Sequence, residues 1–136
     1  MRDALQPLFR CIICSSIVSA VFLVITAATV FADKTSVSIS APESAAPGSE
    51  ITIRVTATHS ANNFLHHTDW LYIMVNGREI ARWNYSWRNK PEGSVFTKEI
   101  TYVLTDNIDI KAEGHCNMHG SKGPATANVA LTPAAE

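Results

Sequence analysis

What this chain lacks first is a disulfide framework. Of three cysteines in 136 residues, Cys11 and Cys14 lie in an apolar N-terminal run and Cys116 stands alone in the remainder. A small domain stapled by internal disulfides is therefore excluded. An excess of one charge is lacking too. Eleven Lys and Arg stand against twelve Asp and Glu, a net of −1, so the basic footprint of a nucleic-acid-binding domain is absent. No internal repeat occurs, and no stretch after residue 32 has the periodicity of an amphipathic helix.

What is present begins at the N-terminus. Arg2 and Arg10 precede a charge-free run from Cys11 to Phe31, and small residues close it at Val30-Phe31-Ala32, before Asp33. A basic start, an apolar middle and a small residue ahead of a polar one predict a secretory signal peptide over residues 1–32, cut after Ala32. An uncleaved anchor over residues 11–31 is the alternative, since 21 apolar-to-small residues can span a bilayer. Arg2 and Arg10 are not adjacent, so a twin-arginine signal is not supported. The CxxC spacing of Cys11 and Cys14 falls inside the targeting segment and is not read as a redox motif. The expected location is periplasmic or secreted, with membrane contact only through this segment.

Residues 33–136 form one expected domain of 104 residues, with nine basic and eleven acidic side chains once Arg2, Arg10 and Asp3 are removed. A chain of that size builds one small core. Its single thiol, Cys116, faces an oxidising compartment. Three fates are open to it: burial as a free cysteine, an intermolecular disulfide, or a metal.

The pattern along the domain is strand after strand. Lys34–Ser40 alternates Val37 and Ile39 with Ser and Thr, and Ala41–Ser49, with Pro42, Pro47 and Gly48, reads as a turn-rich connection. Glu50–His59 alternates with Ile51, Ile53, Val55, Ala57 and finally His59 on one face. Asp69–Val75 and Arg78–Trp87 are joined by Asn76-Gly77, a strong hairpin signal. Val95–Leu104, Ile108–Glu113 and Ala125–Leu131 follow. About seven short strands with frequent turns predict an all-β, immunoglobulin-like antiparallel β-sandwich.

All five histidines fall in two clusters. One is His59 with His66 and His67; the other is His115-Cys116-Asn117-Met118-His119-Gly120. A CxxH pair in a tight loop aims a thiolate and an imidazole at one point, and Gly114 and Gly120 bracket it with backbone freedom. Bringing the two clusters together makes a mixed nitrogen and sulfur site. Such a set suits iron, zinc or copper and does not suit calcium or magnesium. Met118 stays open as an axial thioether for copper. For His67 and His115 the plainer reading is an exposed or hydrogen-bonding neighbour of a ligand, and His115 gains a supporting role from its place beside Cys116. Trp70, Trp83, Trp87, Tyr72 and Tyr85 are read as packing residues on the central hairpin, and Lys90 and Lys122 as solvated loop lysines able to lend positive charge.

Two segments resemble one family. His66-His67-Thr68-Asp69-Trp70-Leu71 is similar to a stretch in which a ligand His is followed by an aromatic or His, an apolar residue, an acid, Trp and an aliphatic. Cys116-Asn117-Met118-His119-Gly120 resembles a Cys-Asn-x-His-Gly signature. Both belong to the superoxide reductases, neelaredoxin and the catalytic domain of desulfoferrodoxin, and the resemblance spans about His59 to Gly120. It implies an immunoglobulin-like sandwich holding a mononuclear non-haem ferrous ion, with four imidazoles in a plane, one axial thiolate and an open position for superoxide. It further implies Cys116 as the thiolate, which pushes electrons toward the reacting position, and His59, His66 and His119 as imidazole ligands. Superoxide is the implied substrate, reduced to hydrogen peroxide by one electron. Because the chain carries no rubredoxin-like four-cysteine domain, electrons come from a separate donor protein.

The chain departs from that pattern. The family carries a further ligand His near the domain start, preceded by a Glu-Lys pair, whereas no His or Lys occurs from Thr35 to Thr58. A fourth imidazole must come from His67 or His115 or be missing. His59 and His66 are one residue further apart than the family pattern, and Ser60 replaces its Pro. Two other readings therefore stand beside the enzyme: a metal-binding or electron-transfer module without efficient turnover, and a metal-free partner-binding sandwich resembling the carrier-binding domains of sulfur oxidation.

Overall fold

The computed structural model describes residues 33–133. The expected signal segment, residues 1–32, lies outside them. Eight strands are present in the described part: β1 (Ser36–Ser40), β2 (Ser44–Ala45), β3 (Glu50–Thr58), β4 (Thr68–Val75), β5 (Arg78–Asn84), β6 (Val95–Val103), β7 (Ile108–Cys116) and β8 (Ala125–Leu131). They form a three-stranded sheet, β1-β3-β6, and a five-stranded sheet, β2-β8-β7-β4-β5. This is the all-β sandwich expected from the alternating runs.

The core follows the period of two. On β3, Ile51, Ile53, Val55 and Ala57 are buried while their neighbours face out, and β4 and β7 answer with Leu71, Ile73, Val75, Ile108, Ile110 and Ala112. Each of the larger aliphatic side chains contributes roughly 1.5–3 kcal/mol by leaving water. His59 continues the inward face of β3 just beyond its end and is 1% exposed. The β4–β5 turn is Asn76-Gly77, with φ of 49° and 78°. Both central residues are thus left-handed, as a two-residue hairpin that matches strand twist requires.

Three expectations are corrected. First, the Ala41–Ser49 connection, read as turns, contains the two-residue β2, which pairs parallel to β8 at the edge of the larger sheet. Two residues are too short to show alternation, and only the docking against β8 makes them a strand. Second, β7 runs on to Cys116, which puts Gly114 inside a strand rather than at a loop hinge. Its smallness serves close approach instead: a Cβ there would lie 2.7 Å from Thr35 Cγ2 and 3.2 Å from Val37 Cγ1. Third, the aromatic hairpin is not central, because β5 is an edge strand. Trp83 and Tyr85 pack against the core, but Trp87 is half exposed, edge-on to Phe64 and covered by the Arg88 guanidinium.

Candidate metal centre

Three chain segments meet at one end of the sandwich. The first is the end of β3, which delivers His59. The second is the β3–β4 loop carrying His66. Its Asn63 side chain accepts the main-chain N–H groups of Leu65 and His66, both at 2.9 Å, and the Asn63 N–H donates to the His66 carbonyl at 2.8 Å. This local wrap of an Asn side chain onto following amides fixes a loop that has no strand partner. The third is the tight turn after β7, closed by reciprocal main-chain bonds between Cys116 and Gly120 at 3.0 and 2.9 Å. Gly120 has φ of 81°, the left-handed value that glycine adopts without a Cβ penalty.

Asn117 ties the second segment to the third. Its Oδ1 accepts the His67 N–H at 2.9 Å, its Nδ2 donates to the Leu65 carbonyl at 2.9 Å, and its own N–H donates to the His67 carbonyl at 3.1 Å. These three bonds bracket His66 and bring it to the Cys116 turn.

The result is a row of ring nitrogens beside a thiol. His66 Nε2 lies 3.1 Å from His59 Nε2 and 3.0 Å from His119 Nδ1, and His119 Nδ1 lies 3.8 Å from Cys116 Sγ. The rings stand nearly perpendicular, at 78° and 88°. The candidate ligand atoms of His59, His66 and Cys116 all fall within 4.8 Å of one another. Two nitrogens each about 2.1 Å from a shared ion and at right angles to one another would be about 3 Å apart, so the observed spacings fit a metal. Cys116 is fully buried and unpaired among the described cysteines, and its sulfur accepts the Met118 N–H at 3.4 Å. His66 has its pKa lowered, first by desolvation and then by the neighbouring His59 and His119 rings. A neutral imidazole is the form that binds a metal.

The orientation of His59 is set by Asn62, a residue the sequence reading passed over as loop. Asn62 Nδ2 donates to the Gly93 carbonyl at 2.6 Å and its Oδ1 accepts the Thr68 N–H at 2.8 Å, which fixes which end of the carboxamide is oxygen. That oxygen faces His59 Nδ1 at 3.3 Å. With Nδ1 donating to that oxygen, Nε2 would be free to present its lone pair to a metal.

The structure gathers His59, His66, Cys116 and His119, and leaves the two remaining histidines outside that row. His115 alternates to the other face of β7, where Nδ1 contacts Asp69 Oδ1 at 2.8 Å and the ring stacks on Trp70, with centroids 4.9 Å apart. His67 was expected to be exposed or hydrogen-bonded. It is instead 7% exposed, and its Nδ1 has no partner among the described residues. His67 lies ahead of β4, where its main-chain N–H and carbonyl are both held by Asn117, so strand alternation does not set its orientation. Met118 is 62% exposed, and it is its main-chain N–H that contacts Cys116 Sγ.

The other residues passed over are Asp33, Lys34 and Thr35. Main-chain bonds from Thr35 N–H to Gly120 O at 3.3 Å and from Lys122 N–H to Thr35 O at 2.9 Å lay this segment along the Cys116 turn. Thr35 is fully buried, with Oγ1 3.1 Å from Thr68 Oγ1. Asp33-Lys34 has the form of an acid–lysine pair, and Thr35 stands where an imidazole would follow. The signal was legible, one position ahead of the window that holds no His or Lys.

With this geometry in place, comparison with known proteins is decisive. The desulfoferrodoxin family model matches residues 28–121. The chain belongs to the desulfoferrodoxin family. Among solved structures, a superoxide reductase (neelaredoxin) from Ignicoccus hospitalis is 20% identical with a TM-score of 0.60, covering 77% of this chain and 87% of its own. A candidate superoxide reductase from Thermotoga maritima is 19% identical with a TM-score of 0.56, covering 72% and 86%. The sulfur carrier protein SoxY from Chlorobium limicola f thiosulfatophilum is 15% identical with a TM-score of 0.53, covering 71% and 79%. At these identities the structural likenesses speak for the sandwich fold alone. No curated protein matches the chain significantly. For a member of this family, iron is the metal that the nitrogen and sulfur cluster suits.

Proposed function

We propose that this desulfoferrodoxin-family protein is an exported mononuclear iron protein of the superoxide-reductase type, with Cys116, His59, His66 and His119 as ligands. The observation that carries the reading is His66 Nε2 sitting 3.1 Å from His59 Nε2 and 3.0 Å from His119 Nδ1, on the same side as the Cys116 thiol. These residues would hold a ferrous ion, which would supply the one electron that, with two protons, takes superoxide to hydrogen peroxide. The chain's own residues do the rest. The Met118 N–H on Cys116 Sγ stabilises the thiolate, Asn62 and Asn117 hold the imidazoles in place, and the exposed Lys34 provides positive charge beside the site for an approaching anion. Electrons reach the site from a separate donor protein.

A second reading, a metal-binding or electron-transfer module without efficient turnover, is favoured by one observation: the residue after the Asp33-Lys34 pair is Thr35, whose buried hydroxyl contacts Thr68 and supplies no imidazole. Elemental analysis and the optical spectrum of the oxidised protein, followed by a superoxide pulse, separate the two. The enzyme reading expects about one iron per chain, a ferric thiolate absorption that Cys116→Ala abolishes, and peroxide formed in step with superoxide consumed. Iron with that absorption but no peroxide would leave the module. An unchanged spectrum and metal content in Cys116→Ala would end both.

A further inference from the structure

Asp33 contributes to the cluster in a way that no motif describes. Its main-chain oxygen lies 3.0 Å from His59 Nε2, the same nitrogen that lies 3.1 Å from His66 Nε2. In a metal-free protein an oxygen at this distance would accept a proton from Nε2. Where Nε2 binds a metal, however, the ring proton sits on Nδ1, and the Asn62 oxygen 3.3 Å away, fixed by its carboxamide's bonds to Thr68 N–H and Gly93 O, is placed to accept it. A carbonyl lone pair and the bare Nε2 lone pair of His59 then point into one space, and His66 Nε2 borders it as well. Such a convergence of acceptors is unfavourable without a cation and is what a cation site requires. Nor is the oxygen there by accident of a loose chain end. Thr35, two residues on, is held by its main-chain bonds to Gly120 and Lys122 and by its side-chain contact with Thr68.

We propose that the main-chain oxygen of Asp33 is a fifth donor to the metal beside Cys116, His59, His66 and His119, filling the position left by the imidazole that Thr35 cannot supply. The proposal rests on the metal-site reading above and adds a mixed nitrogen, sulfur and oxygen ligand set. The oxygen is a weaker donor than an imidazole, so the site is tuned away from that of a four-histidine relative, with the Asp33 side chain left free of the metal.

The test labels aspartate main-chain carbonyls with carbon-13 in the full chain, loads the protein with cobalt(II), and measures carbon hyperfine coupling and cobalt(II) affinity. One labelled carbonyl is expected to show an isotropic coupling, which a through-space contact lacks. In Asp33→Ala, where residue 33 no longer carries the label, that coupling should vanish while affinity stays within about threefold, well short of the roughly tenfold or greater loss for disturbing a metal's ligand environment. Cobalt bound without an isotropic carbonyl coupling overturns the proposal and leaves the metal site standing. A tenfold weaker Asp33→Ala with no carbonyl coupling also overturns it, assigning the role to the carboxylate. A parent chain that binds neither cobalt nor iron removes the metal-site reading itself.

Discussion

Asn117 and Leu65, 52 residues apart in the chain, are joined by a 2.9 Å hydrogen bond from the Asn117 carboxamide to the Leu65 carbonyl. With the Asn117 Oδ1 contact to the His67 amide, it sets the distance between the two histidine clusters. The middle of the Cys-Asn-x-His-Gly signature thus works on the other loop.

Asn117→Ala should therefore separate the clusters before it harms the core. Two side-chain hydrogen bonds are lost, about 1–2 kcal/mol of stability in all. Urea unfolding of the metal-free protein checks this, and metal affinity, read by chelator competition, should fall by about tenfold or more.

Asn62→Ala removes the acceptor for both His59 Nδ1 and the Thr68 N–H. Metal affinity should drop by about 10–100-fold, as when a residue orienting a ligand imidazole is lost. Nitrogen-15 chemical shifts of the His59 ring in the metal-free protein should show Nδ1 losing its proton preference. An unchanged tautomer would refute the assigned role.

Gly114→Ala tests the close approach of β7 to β1. The added methyl meets Thr35 Cγ2 at 2.7 Å and Val37 Cγ1 at 3.2 Å, and overpacking of this kind costs about 1–3 kcal/mol. Gly93→Ala, whose Cβ would meet only the Val95 oxygen at 3.7 Å, should stay within about 0.5 kcal/mol. Both are read from denaturant midpoints.

His66 gives the metal-free domain a pH dependence. Its folded pKa is lowered by desolvation and by His59 and His119, so below the ordinary histidine range of about 6.5 the unfolded chain binds the proton more readily. Stability is then fully present above that value and falls as pH drops toward the lowered folded pKa. Denaturant titrations of the metal-free protein at pH 7.5 and pH 5.5 should show lower stability at the acid end, with the slope reduced in His66→Gln.

Much of this was legible in the residues. Alternation on Glu50–Thr58 gave the inward face of β3, with His59 at its end, because a half-buried strand has to alternate. Asn76-Gly77 marked its hairpin for the same local reason. That the two histidine clusters and Cys116 could make one site was readable from residue type and clustering, while the choice of His59, His66 and His119 among the five histidines came from the family resemblance. What stayed hidden depends on tertiary contact. Ser44–Ala45 is a strand only because β8 lies beside it, Gly114 is small only because Thr35 presses on it, and His67, its main chain held by the distant Asn117, is buried against its expected exposure. Asp33 was missed because its contribution is a main-chain atom, and no side-chain pattern announces one.

His59 hangs from the three-stranded sheet and Cys116 from the five-stranded sheet. An ion gripped by both is a rivet through the two layers at one end of the sandwich. Holding iron and holding the layers shut become a single equilibrium, so starvation for the metal should let that end gape first, while the Asn76-Gly77 hairpin stays closed.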